Sequence, residues 1–341
     1  MSEEEGKLDI FAALEGYYLI SILDCFYKTG AMAALTKDRS IEDIASEQGF
    51  DEKTLEKLTN YVRQRMYGVF PIKGATSAGS DTSISTIDPL FLGHLLDQYI
   101  GAFGPCLESL HQILASPSIG AQKVNWQRHA QAFSKADRGI TNSFMLNLLS
   151  QLNVTKLIDL GCGSGGLLLD FATQNTSIQA WGIDTNIAAI QMAQTVSQAS
   201  NLDDRVKFYH GNALDISKHL EPNTLEEIQI ITASNLANTF FGNESFESIH
   251  SWLYNLKSTF PNRLLLLSDY YGRLGTVEDR ESLRFRRTLF HDVAQVLTGQ
   301  GVPPKNIETW RKILKDADCT LVKAFESEHE EVAHFSYIIQ L

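Results

Sequence analysis

The sequence predicts an α/β fold in which a seven-stranded, mostly parallel sheet follows a mostly helical first half. From about residue 154 onward, short apolar runs alternate with helical stretches, a pattern typical of a parallel sheet covered by helices on both faces. The last two runs lie too close together for a parallel crossover, so we expect a terminal antiparallel hairpin. The predicted strands are residues 156–160, 178–183, 205–210, 228–233, 263–268, 320–326 and 332–340.

Length and charge limit the number of domains and the classes of partner. The chain has 341 residues, which favours two domains. Its formal net charge of −12 argues against nucleic acid and against an anionic membrane as partners, because either would require a concentrated basic face. The acidic N-terminus does not resemble a signal peptide, no apolar run is long enough for a membrane span, and the cysteines stand far apart in the sequence. We therefore expect a cytoplasmic protein with reduced thiols.

Residues 1–90 are predicted to form a helical domain of winged-helix type. Ser40 and Asp43 match a capping sequence at a helix start, residues 51–65 form a second helix, and Tyr67–Gly74 look like a short strand and turn. A winged helix can bind DNA, but the second helix mixes acidic and basic side chains instead of presenting a basic face. We therefore expect no bound nucleic acid. The apolar N-terminal helices either pack in a helical bundle or mediate a homodimer, and we expect the homodimer.

A helical connector, residues 91–152, is predicted between this domain and the sheet domain, residues 153–341. The apolar positions of the connector recur at helical spacing. It also carries Trp126 and Phe133, whose rings could roof a pocket and contact a substrate. Packing between the domains is an equally good interpretation of each of these two side chains taken alone.

A glycine-rich turn follows the first predicted strand. Gly161, Gly163 and Gly166 satisfy the dinucleotide-binding spacing G-x-G-x-x-G, while the run that starts at Asp159 also fits an acid-x-G-x-G-x-G pattern. The turn alone therefore does not decide between these two patterns. Asp184 stands at the end of the second strand, where a carboxylate can accept both ribose hydroxyls of an adenosine. Together these features predict an adenosine-containing ligand at the carboxyl ends of the strands.

The two strand ends resemble those of the class I methyltransferases, which bind S-adenosylmethionine on a Rossmann-like seven-stranded sheet, and the resemblance covers about residues 150–341. It favours methyl transfer over a dinucleotide-dependent oxidoreductase. It implies that Asp159 and the glycine backbone hold the amino-acid end of the cofactor, and that Asp184 and Thr185 hold its ribose. A Gly-Asn-Ala turn replaces the family's Gly-Asp-Ala, so Asn212 either contacts the adenine edge or is only a turn residue. The complete implied cofactor set is Asp159, Gly161, Gly163, Gly165, Asp184, Thr185, Asn212, Ala213 and Asn235.

The two-domain plan resembles the winged-helix methyltransferases of small molecules, and the C-terminal third is most similar to those that methylate the carbon next to a 2-oxo acid. For that subfamily, the resemblance implies a metal held by a His-Asp pair after the fourth strand and by a later His. This chain has Asn238 and Thr239 at the pair and keeps His291. Because amide and hydroxyl groups are poor ligands for a transition metal, we expect no bound metal and an altered acceptor.

The sequence thus predicts an S-adenosylmethionine-dependent methyltransferase acting on a small molecule, which we interpret as an aromatic or heterocyclic intermediate of specialised metabolism. His291 suits general-base work near neutral pH, and a structural histidine satisfied by a neighbour is the alternative. Two other functions stay open: carbon methylation of a 2-oxo acid, and a winged-helix regulator that only senses the cofactor. The predicted catalytic residues are His291, Asn238 and Tyr270, and the predicted substrate contacts are Trp126, Phe133, Tyr271, Arg287 and Gln295.

Overall fold

A computed structural model of the protein describes residues 10–37, 39–66, 89–135, 139–242, 245–276, 283–326 and 334–341. The described chain divides into two compact units. The first runs to Gly101 and also includes Lys135, and the second contains the sheet. The division at Gly101 lies inside the segment 91–152 that the sequence analysis treats as a connector, because Leu92 and Leu96 are buried in the core of the first unit.

The first unit is helical in its described parts. Its elements are α1 (Ile10–Lys28), α2 (Ala31–Thr36), α3 (Ile41–Gln48), α4 (Glu52–Arg65), α5 (Pro89–Leu95) and all but the last residue of a π-helical segment, Leu96–Ala102. The predicted helix start is confirmed, since the Ser40 hydroxyl accepts a hydrogen bond from the Asp43 backbone N–H at 3.0 Å. Gly49 ends α3 with a φ of 69°. The strand and turn predicted at Tyr67–Gly74 lie outside the described residues, so the winged-helix assignment stays a prediction.

The described part of the second unit contains a seven-stranded sheet in the order β3-β2-β1-β4-β5-β7-β6. The strands are β1 (Lys156–Leu160), β2 (Gln179–Asp184), β3 (Val206–His210), β4 (Ile230–Ser234), β5 (Leu264–Tyr270), β6 (Thr320–Glu326) and β7 (His334–Gln340). The first five strands run parallel, and β7 is inserted antiparallel between β5 and β6. The predicted α/β class, the seven strands and the terminal antiparallel hairpin are confirmed.

Helices of the second unit both precede and follow the first strand of the sheet in the sequence. Before β1 come α6 (Gly104–Glu108), α7 (Leu110–Ala115), α8 (Gly120–Lys123), α9 (Trp126–Lys135) and α10 (Gly139–Gln151), and after it come α11 (Gly166–Gln174), α12 (Ile187–Ala199), α13 (Pro222–Glu227), α14 (Glu247–Thr259), α15 (Leu283–Leu297) and α16 (Ile307–Asp316). The strand β1 alternates between two cores. Leu157 lies in one core with Phe171 of α11, and Ile158 lies in the other with Trp252 of α14. Burial on both faces explains why the strand reads as one continuous apolar run.

The strand order reverses direction beside β1, which pairs with β2 on one side and with β4 on the other. In sheets of this kind the crevice that receives a ligand lies outside the carboxyl ends of the strands at this switch point. The loops that follow β1, β2 and β4 are therefore the expected cofactor side of the site. Within the described ranges, no helix is both long and apolar enough to cross a membrane.

Candidate active site

The turn after β1 is built from glycines in a conformation that other residues rarely adopt. The φ angles of Gly161, Gly163 and Gly165 are 70°, 54° and 78°, all in the left-handed region. Gly165 also packs tightly, because an added Cβ would lie 2.5 Å from Cζ of Phe208. At Gly163, by contrast, an added Cβ would meet no atom of the described residues within 4 Å. The turn therefore presents bare backbone to open space, as a cradle for a ligand requires.

Asp184 holds this turn from the end of β2. Its Oδ2 accepts a hydrogen bond from the Gly163 backbone N–H at 2.8 Å, and its Oδ1 accepts one from the Asn186 backbone N–H at 2.7 Å. Burial raises the pKa of Asp184 above its ordinary value, although these two N–H groups and His210 act in the opposite direction. Each carboxylate oxygen can accept a further bond. Asp184, which is predicted to bind the ribose, therefore lies beside the glycine turn, and its carboxylate can accept further hydrogen bonds.

Asp159 lies in β1, just before the glycine turn, and is only 4% exposed. Its Oδ1 accepts a hydrogen bond from the Thr232 hydroxyl at 2.7 Å, across the pairing of β1 with β4. Thr232 was not predicted as part of the site. The only sequence signal for it would have been the strand order, because the register places it directly opposite Asp159.

The remaining predicted cofactor residues have different surroundings. The Asn212 side chain accepts a hydrogen bond from the Leu214 backbone N–H at 2.9 Å, which supports the turn-residue interpretation. The side chain of Ala213 is buried in the core. Thr185 is exposed, and its carbonyl lies 3.1 Å from Nε2 of His210. Asn235 is exposed after β4 with a φ of 51°.

A second set of polar groups lies where β4 and β5 end. Asp269 is completely buried, and its carboxylate accepts hydrogen bonds from the backbone N–H groups of Asn238 and Tyr270, both at 2.9 Å. Burial raises the pKa of Asp269 to about 7, against the opposing effect of these N–H groups. Asn238 is 3% exposed, and its Oδ1 has no hydrogen-bond partner among the described residues. Asp269 is not among the predicted site residues, yet it joins two residues that are.

His291 contacts two of the other predicted residues. Its ring lies edge-on to the ring of Tyr270, with centroids 5.0 Å apart and an interplanar angle of 71°. Its Nε2 lies 3.2 Å from Nε2 of Gln295, one turn later on α15. Arg287 is half-buried one turn earlier, so Arg287, His291 and Gln295 share a face of that helix. The structure thus brings together four of the residues predicted for the acceptor side.

The neighbouring Asp292 has a structural role. Its Oδ2 accepts hydrogen bonds from the backbone N–H groups of Arg273 and Leu274, at 2.6 and 2.8 Å. Burial raises the pKa of Asp292, while these N–H groups and the Tyr270 hydroxyl oppose the increase. Asp292 therefore fixes the loop after β5 to α15.

Tyr271 does not have the position that the sequence analysis expected. It lies in the core, and its hydroxyl bonds with Glu326 Oε1 at 2.6 Å and with the Tyr337 hydroxyl. Burial and these two partners raise its pKa. Tyr271 follows the last residue of β5, and its ring packs against that of Phe335, whereas the ring of Tyr270 lies against that of His291. These contacts favour a packing role for Tyr271, and its predicted substrate contact stays a prediction.

Aromatic rings on α9 form a cluster within the second unit. The His129 ring lies 5.3 Å from that of Trp126, 4.7 Å from that of Phe133 and 5.7 Å from that of Phe103. The Trp126 carbonyl accepts a hydrogen bond from Asn186 Nδ2 at 3.0 Å. Trp126 and Phe133, the two predicted substrate contacts, thus both contact His129. The Asn186 hydrogen bond connects this cluster to the turn after β2. Asn186 was not predicted as a member of this arrangement.

Thr239 is the second of the two residues that replace the subfamily's metal-binding His-Asp pair. It forms part of a short 3₁₀ turn, Ala237–Phe240, and its hydroxyl donates to the Leu236 carbonyl at 2.7 Å. Among the residues that the structure describes, no group of three or more His, Cys, Asp or Glu side chains could hold a metal ion.

Comparisons with known proteins agree with this architecture. Residues 153–258 match the family model described as a methyltransferase domain. Methyltransferase ungE′ of Aspergillus campestris is 27% identical over 176 residues, which cover 50% of this chain and 49% of that protein. The chain therefore spans about half the length of this curated relative.

Two solved structures cover nearly the whole chain. Mitomycin 7-O-methyltransferase MmcR superposes with a TM-score of 0.70 at 13% identity, over 97% of this chain and 96% of that one. Human N-acetylserotonin methyltransferase, solved in complex with S-adenosylmethionine, superposes with a TM-score of 0.66 at 13% identity, over 100% of this chain and 99% of that one. At these identities the likeness concerns the fold. The resemblance inferred from the glycine turn and from Asp184 is supported, because residues 153–258 match a methyltransferase domain and the chain has the fold of known methyltransferases.

Proposed function

We propose that this protein is an S-adenosylmethionine-dependent methyltransferase that methylates a hydroxyl or enol oxygen of an aromatic or heterocyclic small molecule. The observation that carries the proposal is the bridge made by the Asp184 carboxylate between the backbone N–H groups of Gly163 and Asn186. This bridge fixes a glycine turn with open space above it, beside an acidic group suited to ribose.

The residues of this turn fit the cofactor. Asp184 and Thr185 would hold the ribose hydroxyls, and Asp159 with the backbone of Gly161 and Gly163 would hold the amino-acid end. When bound, the cofactor supplies a methyl group on a positively charged sulfur. The protein must add an acceptor site that is dry and correctly aligned.

His291 is proposed as the general base of that acceptor site. An imidazole can take the proton of a hydroxyl or enol as the oxygen gains a methyl group. The ring is held by Tyr270 and Gln295. Arg287, on the same face of α15, would add positive charge that stabilises the developing oxyanion.

Asn238 and the α9 aromatic cluster are proposed to bind the acceptor. The buried Oδ1 of Asn238 lacks a hydrogen-bond partner among the described residues, and burying such a group is costly unless a ligand supplies a donor. Trp126 and Phe133 offer ring surfaces for stacking on a flat acceptor. The name of mitomycin 7-O-methyltransferase supports an oxygen acceptor in specialised metabolism for this chain as well.

The test is methyl transfer from labelled S-adenosylmethionine to a panel of phenols, hydroxylated nitrogen heterocycles and 2-oxo acids, each with and without a chelator. We expect transfer to a phenol or a hydroxylated heterocycle that the chelator does not change. Transfer to a 2-oxo acid that the chelator abolishes would instead favour metal-dependent carbon methylation. Binding of S-adenosylmethionine without any transfer, together with a DNA mobility shift at physiological salt, would favour a cofactor-sensing regulator.

We further propose that α1 mediates a homodimer. Leu14, Tyr17 and Tyr18 lie within two turns of this helix and are 55%, 66% and 66% exposed. Large apolar side chains grouped in this way are typical of a protein interface.

A further inference from the structure

A cavity lies between α10 and the strands β6 and β7 at one edge of the sheet. Its volume is about 210 Å³. The described residues that line it include none of those predicted for the cofactor or for the acceptor. The cavity is therefore a feature of the second unit that methyl transfer leaves without a role.

The wall of this cavity is apolar and largely aromatic. The rings of Phe144 on α10 and Phe325 on β6 meet edge to face, with centroids 4.9 Å apart and an interplanar angle of 67°. Leu148 and Ile338 complete the wall, and both belong to or pack against the core on this face of the sheet. A wall of this kind binds a flat apolar group.

The volume limits the size of that group. An apolar cavity of roughly 150 Å³ in another protein holds benzene, whereas pockets for drug-sized ligands measure roughly 300–1,000 Å³. The cavity beside Phe144 and Phe325 lies between these values. It therefore fits one six-membered ring with a small substituent.

The polar groups at the cavity give that substituent its charge. Lys323, two residues before Phe325 on β6, is exposed, and its Nζ lies 4.6 Å from the centroid of the Phe325 ring. Among the described residues, no carboxylate forms an ion pair with Lys323 and no Asp or Glu lines the cavity. The single formal charge in the described lining is therefore positive.

Two amide side chains on α10 add hydrogen-bonding groups beside this ammonium. Oδ1 of Asn147 accepts a hydrogen bond from Nε2 of Gln151 at 3.3 Å. This bond leaves Nδ2 of Asn147 as a second donor at the cavity, because an amide nitrogen can only donate. An ammonium and an amide N–H₂ beside an aromatic wall are complementary to an anion that carries a ring.

We propose that this cavity binds a small aromatic carboxylate. The ring packs against Phe144 and Phe325, and the carboxylate pairs with Lys323 and accepts a hydrogen bond from Nδ2 of Asn147. The charge must act locally, since the whole chain has a formal net charge of −12 and repels anions in general. This proposal goes beyond the proposed methyl transfer and does not depend on it.

Titration of the full chain with benzoate tests the proposal, with the Ile338 methyl group as a local probe. Isoleucine labelled with ¹³C at its δ1 methyl group reports the binding by NMR, and the Ile338→Val variant assigns the signal. We expect benzoate to shift this signal with a Kd of about 0.1–1 mM, as for a ligand of this size. Acetate, which lacks the ring, should leave the signal unchanged at the same concentrations. Benzyl alcohol, which lacks the charge, should bind about 3- to 10-fold more weakly than benzoate.

Variants of Lys323 separate the charge from the ring. Lys323→Gln should weaken benzoate binding by about 3- to 10-fold and leave binding of benzyl alcohol unchanged, whereas Lys323→Arg should bind benzoate like the wild type. The exposed Lys207→Gln on β3 is the matched control. An Ile338 signal that benzoate does not shift, even where other isoleucine signals move, would overturn the proposal. Equal benzoate affinity in Lys323→Gln would overturn it as well, and neither result would affect the proposed methyltransferase activity.

Discussion

The Asp184 carboxylate lies 2.8 Å from the Gly163 backbone nitrogen and 2.7 Å from that of Asn186. It therefore connects the turn after β1 to the turn after β2. Because the Asn186 side chain also donates to the Trp126 carbonyl, the same two residues link the cofactor cradle to the aromatic cluster on α9. A change at Asp184 should consequently disturb both ends of the site.

Gly165 and Gly163 differ in what surrounds them, which gives a matched pair of substitutions. Gly165→Ala meets both a φ of 78° and a contact of 2.5 Å with Phe208, so it should destabilise the protein by roughly 2–4 kcal/mol. Gly163→Ala meets only an unfavourable φ of 54° in open space and should cost about 1 kcal/mol. Urea unfolding of the full chain measures both values. Equal losses would contradict the packing of Gly165 against Phe208.

His291→Ala should lower kcat for the identified acceptor by roughly 10²- to 10⁴-fold, because a general base contributes about that factor. Affinity for S-adenosylmethionine should stay the same. For a phenolic acceptor, activity of the variant should rise with pH as the free acceptor ionises. His111→Ala, an exposed histidine on α7, is the control. Full activity of His291→Ala would remove it as the base.

Asp269 should make stability depend on pH in a defined direction. Its pKa is raised to about 7, so between about pH 4 and 7 the native state holds a proton that the unfolded chain has lost. The free energy of unfolding should therefore fall as pH rises, by about 1.4 kcal/mol per pH unit relative to Asp269→Asn.

Urea titrations at pH 5 and at pH 6.5 check this slope, and the expected change in the difference between the two proteins is roughly 2 kcal/mol. The exposed Asp170→Asn on α11 should show no comparable change. A difference that is the same at both pH values would mean that the native carboxyl is already ionised at pH 5.

Tyr17→Glu should weaken self-association if α1 forms the dimer interface. A charge placed at the centre of an apolar interface is left without a partner, and the dissociation constant should rise at least about 10-fold. Sedimentation equilibrium measures it, with the exposed Gln48→Glu on α3 as control. A wild-type chain that sediments as a monomer would refute the dimer.

Much of the fold could be predicted because local patterns are strong in the second unit. The strands β1 (Lys156–Leu160) and β6 (Thr320–Glu326) have the predicted bounds, since each is an apolar or β-branched run bounded by turn residues. The glycine turn and Asp184 were also predictable. Their predicted roles follow from the residue type and from a position at the end of a strand, and both can be read from the sequence.

The acceptor side of the site could not be predicted in the same way, because it depends on contacts between residues that are far apart in the sequence. β5 was expected to end at residue 268, but it continues to Tyr270 because Asp269 and Tyr270 pair with β7. Tyr270, the last residue of this longer strand, contacts His291, and Tyr271, which follows the strand, lies in the core. The partnership of Asp159 with Thr232 likewise joins residues 73 positions apart.

The central claim is that Asp184 organises an S-adenosylmethionine site, and calorimetric titration of the cofactor tests it most directly. The wild-type chain should bind S-adenosylmethionine, and Asp184→Asn should bind it roughly 10- to 100-fold more weakly, since a charged acceptor of two backbone N–H groups is lost. The exposed Asp170→Asn should bind like the wild type. No binding to the wild-type chain, or equal affinity in Asp184→Asn, would contradict the account.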